Sequence, residues 1–200
     1  MLKIRNLKTT FTIDKTKTLK AVDGIDFEIK KNEVLGLVGE SGCGKSVTSL
    51  AILRLISGNG KISAEEITWK DKNLLTVSEK DMRKIRGKEI SMIFQNPLGS
   101  LNPVYAIGNQ MIETIRLHHG GTKAQARQKA LDLFKEVNIT DPDRRMAQYP
   151  HELSGGLAQR VMIAMALSSQ PDLLIADEPT ASLDVTIQAQ IMRLLLDLKQ

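Results

Sequence analysis

The octapeptide Gly39-Glu40-Ser41-Gly42-Cys43-Gly44-Lys45-Ser46 constrains this chain more than any other feature. Its glycines let the backbone turn so that successive N–H groups point inward, and such a concave row of donors holds an anion. The run Val34-Leu35-Gly36-Leu37-Val38 stands before it, short and almost wholly apolar, the pattern of a strand buried on both faces of a parallel sheet. A helical pattern from about Ser46 to Ile56 follows. Strand, glycine-rich turn and helix in that order complete the context of a phosphate-binding loop, G-x-x-x-x-G-K-[ST]. The helix adds its positive N-terminus. Lys45 brings a point charge to the β- and γ-phosphates of a nucleotide, and the Ser46 hydroxyl suits Mg²⁺. The expected ATP contacts are therefore Gly39, Glu40, Ser41, Gly42, Cys43, Gly44, Lys45, Ser46 and Val47. Val47 has no side-chain donor but offers its backbone N–H.

Leu173-Leu174-Ile175-Ala176 is a further apolar strand, and it ends in Asp177-Glu178. Taken alone this reads as a solvated strand end. In one chain with a phosphate loop it reads as chemistry. Asp177 is placed to hold the Mg²⁺ shell through water, and Glu178 to polarise a water that attacks the γ-phosphate. Leu153-Ser154-Gly155-Gly156 precedes a long helical pattern. Ser154 suits an N-cap, and the glycines leave bare N–H groups at the helix start. That is either a simple cap or an anion site.

Between these segments the chain alternates in character. Leu2, Ile4 and Leu7 start a strand that Phe11 and Ile13 continue, and Asp14–Lys17 makes a polar turn. Leu19–Val22 and Ile25–Ile29 alternate with period two, as half-buried antiparallel strands do. Ile67–Trp69 and Ile90–Phe94 are expected strands, and Ser78–Ile85 a short helix. Pro97–Pro150 is mostly helical and more polar, with a capping box of Thr122 and Gln125 and a turn at Asp141-Pro142-Asp143. A helix is expected over Gly155–Ser168 and another over Thr186–Leu198.

The totals exclude several classes. Aromatic residues make up 4% of the chain, too few for a base-stacking single-strand binder. The net charge of +5 is mild and scattered, a solvated surface rather than a nucleic-acid groove. Cys43 is the one cysteine, so no internal disulfide forms, which fits a reducing cytosol. No apolar run reaches the length of a membrane span, and the first residues lack the apolar stretch of a signal peptide. If the chain works at a membrane, a partner supplies the spans.

Gly39–Ser46, Gln95 after a strand, Leu153–Gly156, Asp177-Glu178 and Ser182-Leu183-Asp184 occur in the order found in ABC transporter ATPases, and the resemblance covers essentially the whole chain. It implies an α/β P-loop NTPase: a RecA-like parallel-sheet core with an antiparallel β-subdomain and an α-helical subdomain. The boundaries read for these are 1–96 and 151–200 for the core with its β-subdomain, and 97–150 for the helical subdomain. Gln95 would be the mobile glutamine that touches Mg²⁺ and reports the γ-phosphate. Ser154, Gly155 and Gly156 would complete the ATP site of a partner cassette, with Asp184 at the dimer seam. Phe11 is the aromatic expected to stack on adenine. Glu178, Lys45 and Gln95 form the expected catalytic set.

Ile93–Pro103, Tyr149–Gly156 and Gln159–Leu167 resemble the peptide and nickel importer ATPases, and Gly44–Thr48 the first of the two ATPases such importers usually carry. Uptake of di- or oligopeptides, or nickel, at the cytoplasmic face of the membrane is what this implies. The implied partners are a second ATPase subunit, identical or not, transmembrane permeases and, indirectly, an external binding protein. No nucleic-acid partner is expected. The Leu98–Pro103 segment is the expected coupling surface. Leu157 stands where many cassettes carry glutamine, which fits the peptide-importer branch. No residue here takes the place of the family's switch histidine, which is expected beyond Gln200 with the last strands of the cassette. His118, His119 and His151 read as surface or structural residues, without metal-ligand spacing. The rival reading, a non-transport ABC ATPase acting on DNA or ribosomes, would bring coiled coils, a zinc module or a second cassette, and the sequence has none.

Overall fold

The alternation of buried side chains in the first strand changes phase at Asn6, and the backbone shows why. In a computed structural model that describes residues 1–181 and 183–197, β1 spans Leu2–Thr12 and pairs antiparallel with β2, Thr18–Ile29. Leu2 and Ile4 are buried, then Leu7 and Thr9. The register shifts between Ile4 and Leu7, and Asn6 has φ 48°. This is a bulge: one extra residue moves the buried face by one position and bends the strand. Asn6 is held there by an N–H donated to Asp26 Oδ1 and an Nδ2 donated to Glu65 Oε1.

The bend lets the far edge of β1 serve two partners. Lys8–Phe11 pairs with β3, Gly60–Ser63, and Leu2–Arg5 with β4, Glu66–Trp69. A two-residue β5, Lys72–Asn73, closes the antiparallel sheet. The Asp14–Lys17 turn forms as expected. Asp14 Oδ1 accepts the Thr16 N–H, the Thr16 hydroxyl and the Lys17 N–H, and these bonds hold its carboxyl below the usual range. The two strands expected over Leu19–Ile29 are one continuous strand.

The chain divides into two compact units, Met1–Arg83 and Lys84–Gln200. The first holds this sheet and α1, Lys45–Ile52, shorter at its C-terminal end than the helix expected to Ile56. Arg54, at φ 53°, breaks it. α2, Glu79–Ile85, crosses the sequence boundary between the units.

The expected strand Val34–Val38 is the main correction. Residues 33–40 have no regular structure, with Val34 61% and Val38 91% exposed. A strand buried on both faces needs a paired neighbour for its N–H and C=O groups on each side. Among the described residues none pairs with this run. Apolar composition states a demand for burial; it does not supply the neighbour.

The second unit is built on a parallel pair and a helical cluster. β6, Ile90–Ile93, runs parallel to β7, Leu173–Ala176, in the register Ile90↔Leu173 to Ile93↔Ala176. β6 is fully buried; β7 is half-buried and its Ala176 exposed, against the expectation of a buried strand. Helices α3 (Pro97–Ser100), α4 (Ile107–His119), α5 (Lys123–Glu136) and α6 (Pro142–Ala147) follow β6. The Thr122–Gln125 capping box starts α5 as expected. The turn expected at Asp141–Asp143 is instead the start of α6, with Asp141 at φ 49° and Pro142 in the first turn, where its missing N–H costs nothing.

α7, Gly155–Leu167, carries the core of this unit. Ala158, Val161, Met162, Ile163, Ala164 and Ala166 are buried and pack with Phe134, Met111 and Ile107. Apolar residues on nearly every face make it an enclosed helix rather than an amphipathic one. The half-buried Arg160 is anchored through Nη1 to the Val137 carbonyl and Nη2 to Gln190 Oε1 on α8, Val185–Asp197. Among the described residues no helix is long and apolar enough to cross a membrane.

Candidate nucleotide site

The phosphate loop lies in the first unit. Gly42 and Gly44 have φ 81° and 99°, in the left-handed region that favours glycine. At Gly44 there is a second constraint: a Cβ would stand 2.3 Å from the Ala21 carbonyl oxygen of β2. The loop is thus pressed onto the sheet at the point where α1 begins. Thr48 is buried, and its hydroxyl donates to the Gly44 carbonyl at 2.9 Å, which locks the first helical turn to the loop. Lys45 reaches back over the loop, with Nζ donating to Gly39 O at 2.9 Å and Glu40 O at 2.8 Å. Gly39, Glu40, Ser41, Gly42 and Cys43 are exposed, and Ser46 and Val47 half-buried.

Cys43 Sγ packs over Gly39, where a Cβ would come within 2.6 Å of it, and lies 3.9 Å from Lys45 Nζ. An adduct on this exposed thiol would crowd the loop beside Gly39 and Lys45. Iodoacetamide is expected to abolish Mg-ATP binding, and prior ATP to slow the alkylation at least ten-fold; full binding by the alkylated chain would refute it. Phe11, half-buried on β1, lays its ring against Gly60, whose Cβ would meet Phe11 Cε1 at 2.9 Å.

In the second unit the parallel pair sets out the acidic residues. Asp177 follows β7 directly, is buried, and donates its N–H to the Ile93 carbonyl at 3.0 Å. The next residue, Glu178, turns out of the ladder with φ 45°, a strained value for a residue with a Cβ. Gln95, two residues past β6, donates Nε2 to Glu178 Oε2 at 2.7 Å. Two sequence-distant residues expected to share a function, 83 positions apart, are therefore in contact.

Ser154 caps α7, its Oγ accepting the Leu157 N–H at 3.4 Å. The glycines behind it have a packing role that the sequence did not disclose. A Cβ at Gly156 would press on Ile187 Cγ2 at 3.2 Å, and one at Gly155 would touch Leu183 Cδ2 at 3.7 Å. Asp184 caps α8 by accepting the Ile187 N–H at 3.0 Å. Ser182 of the same motif lies outside the described residues, as do Leu198, Lys199 and Gln200.

The Leu98–Pro103 segment begins with α3, capped by Asn96, whose Oδ1 accepts the Gly99 N–H. Gln110 then braces the loop, accepting the Asn102 N–H and donating to the carbonyls of Asn102 and Tyr105. Val104 is 72% and Tyr105 55% exposed. Sequence reading stopped one residue short of this apolar tip; the signal was two large apolar residues directly after Asn102-Pro103.

The histidines are local. His118 lies against the Gly87 backbone, and burial, then His119 and Lys88, push it below its usual range. His119 Nε2 is 2.8 Å from the Ser168 carbonyl, and His151 stacks on Tyr149. Among the described residues no three His, Cys, Asp or Glu side chains converge as a metal site.

A family model described as ABC transporter matches residues 22–181, most of the chain. The chain belongs to the ABC transporter family. It is 54% identical over 187 residues to the dipeptide transport ATP-binding protein DppD of Escherichia coli, covering 94% of this chain and 57% of that protein. It is 53% identical over 201 residues to the oligopeptide transport ATP-binding protein AppD of Bacillus subtilis, covering 100% and 61%. The chain thus spans about three fifths of the length of these curated relatives. Among solved structures it is similar to the ATP-binding cassette MJ0796, a dimer in a post-hydrolysis state bound to ADP and Pi. The TM-score is 0.88 at 28% identity, with 100% of this chain and 83% of that one covered. The antiparallel β-sheet and the helical region expected of an ABC cassette are both present.

Proposed function

We propose that this chain is the ATP-binding and ATP-hydrolysing subunit of an ABC importer for di- or oligopeptides, working at the cytoplasmic face of the membrane. The reading is carried by the Gln95–Glu178 contact, beyond the parallel ends of β6 and β7, in a chain that also holds a complete phosphate loop. The family membership and the peptide-transport names of its relatives point to the same role.

The chemistry follows from the side chains. The loop N–H groups and Lys45 bind the phosphate chain, and Phe11 offers a ring face to the base. The Ser46 hydroxyl, the Gln95 amide and the Asp177 carboxylate, this last through water, are hard oxygen donors of the kind Mg²⁺ takes. When bound, Mg²⁺ neutralises charge on the β- and γ-phosphates. Glu178 accepts the proton of the attacking water, and the hydrogen bond from Gln95 fixes where its carboxylate points. Ser154, Gly155 and Gly156 reach the γ-phosphate held by a second cassette, with Asp184 beside that seam. The exposed Leu98, Val104 and Tyr105 form the surface for a permease partner.

Glu178→Gln is expected to leave Mg-ATP affinity within about three-fold and to lower ATP turnover by about a hundred-fold or more. A dimer should then accumulate in Mg-ATP, visible by light scattering. Normal turnover would remove Glu178 as the base, and a wild-type chain that binds no Mg-ATP would remove the whole reading. Cells lacking the protein should lose uptake of labelled di- or oligopeptides; undiminished uptake would overturn the importer assignment.

A further inference from the structure

We infer that Met162 is a positioning residue: its sulfur moors the Phe94 backbone to α7 and so sets the Gln95 amide on the Glu178 carboxylate. The ladder between β6 and β7 ends where the Ile93 carbonyl accepts the Asp177 N–H. The next peptide leaves the sheet. Its N–H, from Phe94, donates to Met162 Sδ at 3.2 Å, a partner 68 residues away in sequence. Phe94 is half-buried and Met162 buried, so this N–H must find an acceptor inside the protein. A thioether is a weak acceptor. It sets a direction for the chain without gripping it hard.

Gln95 is the following residue, and its Nε2 donates to Glu178 Oε2 at 2.7 Å. Two hydrogen bonds and a single stretch of backbone therefore connect the α7 interior to the carboxylate. Glu178 itself sits at φ 45°, a conformation its surroundings must hold. At the other end of the same helix stands Ser154, eight residues before Met162 and about 12 Å along the axis at 1.5 Å per residue. A helix is stiff over that length, so Ser154 and Met162 belong to one rigid segment. The meaning of this path for turnover rests on the proposed role of Glu178 as base. The path itself does not.

Met162→Leu keeps the apolar volume and removes the acceptor. In the isotopically labelled chain it is expected to speed hydrogen exchange of the Phe94 amide at least ten-fold. It should also shift the Gln95 side-chain amide and Glu178 carboxyl resonances, while the Trp69 indole signal and the unfolding midpoint stay in place. Unchanged Phe94 exchange overturns the inference. So does faster exchange with the Gln95 and Glu178 signals unmoved, since Met162 would then be packing alone. If Leu unsettles the fold, Met162→Gln gives the second reading. An oxygen acceptor on a chain of similar length should restore Phe94 protection and both signals, and failure to do so overturns the inference as well. No step uses turnover, so the outcome is separate from that of Glu178→Gln.

Discussion

Lys45→Ala is expected to weaken Mg-ATP binding a hundred-fold or more in isothermal titration, about 3 kcal/mol. Lys45 Nζ now donates to two neutral carbonyls, Gly39 O and Glu40 O. Phosphate oxygens replace them with charged acceptors, and charge-assisted hydrogen bonds are roughly twice as strong as neutral ones. The alanine chain loses that exchange and leaves the two carbonyls to water. Its folding should change little, because residues 39–43, which the Lys45 side chain reaches back over, are exposed. A titration showing unaltered affinity would end the assignment of this loop as the phosphate site.

Gly44→Ala is expected to lower stability by about 2–4 kcal/mol and to remove nucleotide binding with it. Two costs act together. A residue with a Cβ at φ 99° is strained, and that Cβ would stand 2.3 Å from the Ala21 carbonyl oxygen. The clash is with backbone of β2, which cannot rotate aside as a side chain can. Relief requires the loop to lift from the sheet, which would carry Lys45 and the start of α1 with it. Chemical denaturation of the two chains measures the first effect, and the same titration the second. An alanine chain as stable as wild type would show that the loop does not rest on β2 as described. Gly42→Ala is the informative contrast: φ is 81° but nothing lies within 4 Å of the added carbon, so strain acts there alone.

Much of this was legible in the residues because it depends on local chemistry. The phosphate loop, the Thr122–Gln125 box, the Ser154 cap and the Asp14 turn are each set by neighbours within a few positions. β1 was readable too, although its bulge was hidden, since Asn6 takes its conformation from Asp26 and Glu65, far along the chain. Val34–Val38 is the opposite case. Its apolar run has the composition of a buried strand, but a strand exists only in its pairing, and the described residues offer it none.

Gly155 and Gly156 show how one residue serves two readings. The sequence offers them as an anion site, yet in the fold Ile187 also crowds Gly156 and Leu183 lies beside Gly155. Nothing in Leu153–Gly156 announces a side chain some thirty residues on.

The order of its motifs pointed to the family of this chain and singled out Lys45, Asp177 and Glu178 as its candidate charged groups, because phosphate and metal chemistry would need such side chains at such spacings. Only the tertiary structure decided what they touch. It put Gln95 on Glu178, hung Phe94 from Met162 and pressed Gly44 onto Ala21. Those are contacts across the chain, formed when β6 pairs with β7 and α1 docks on the sheet, and hydrogen-bond geometry of that kind has no signature in the spacing of residues.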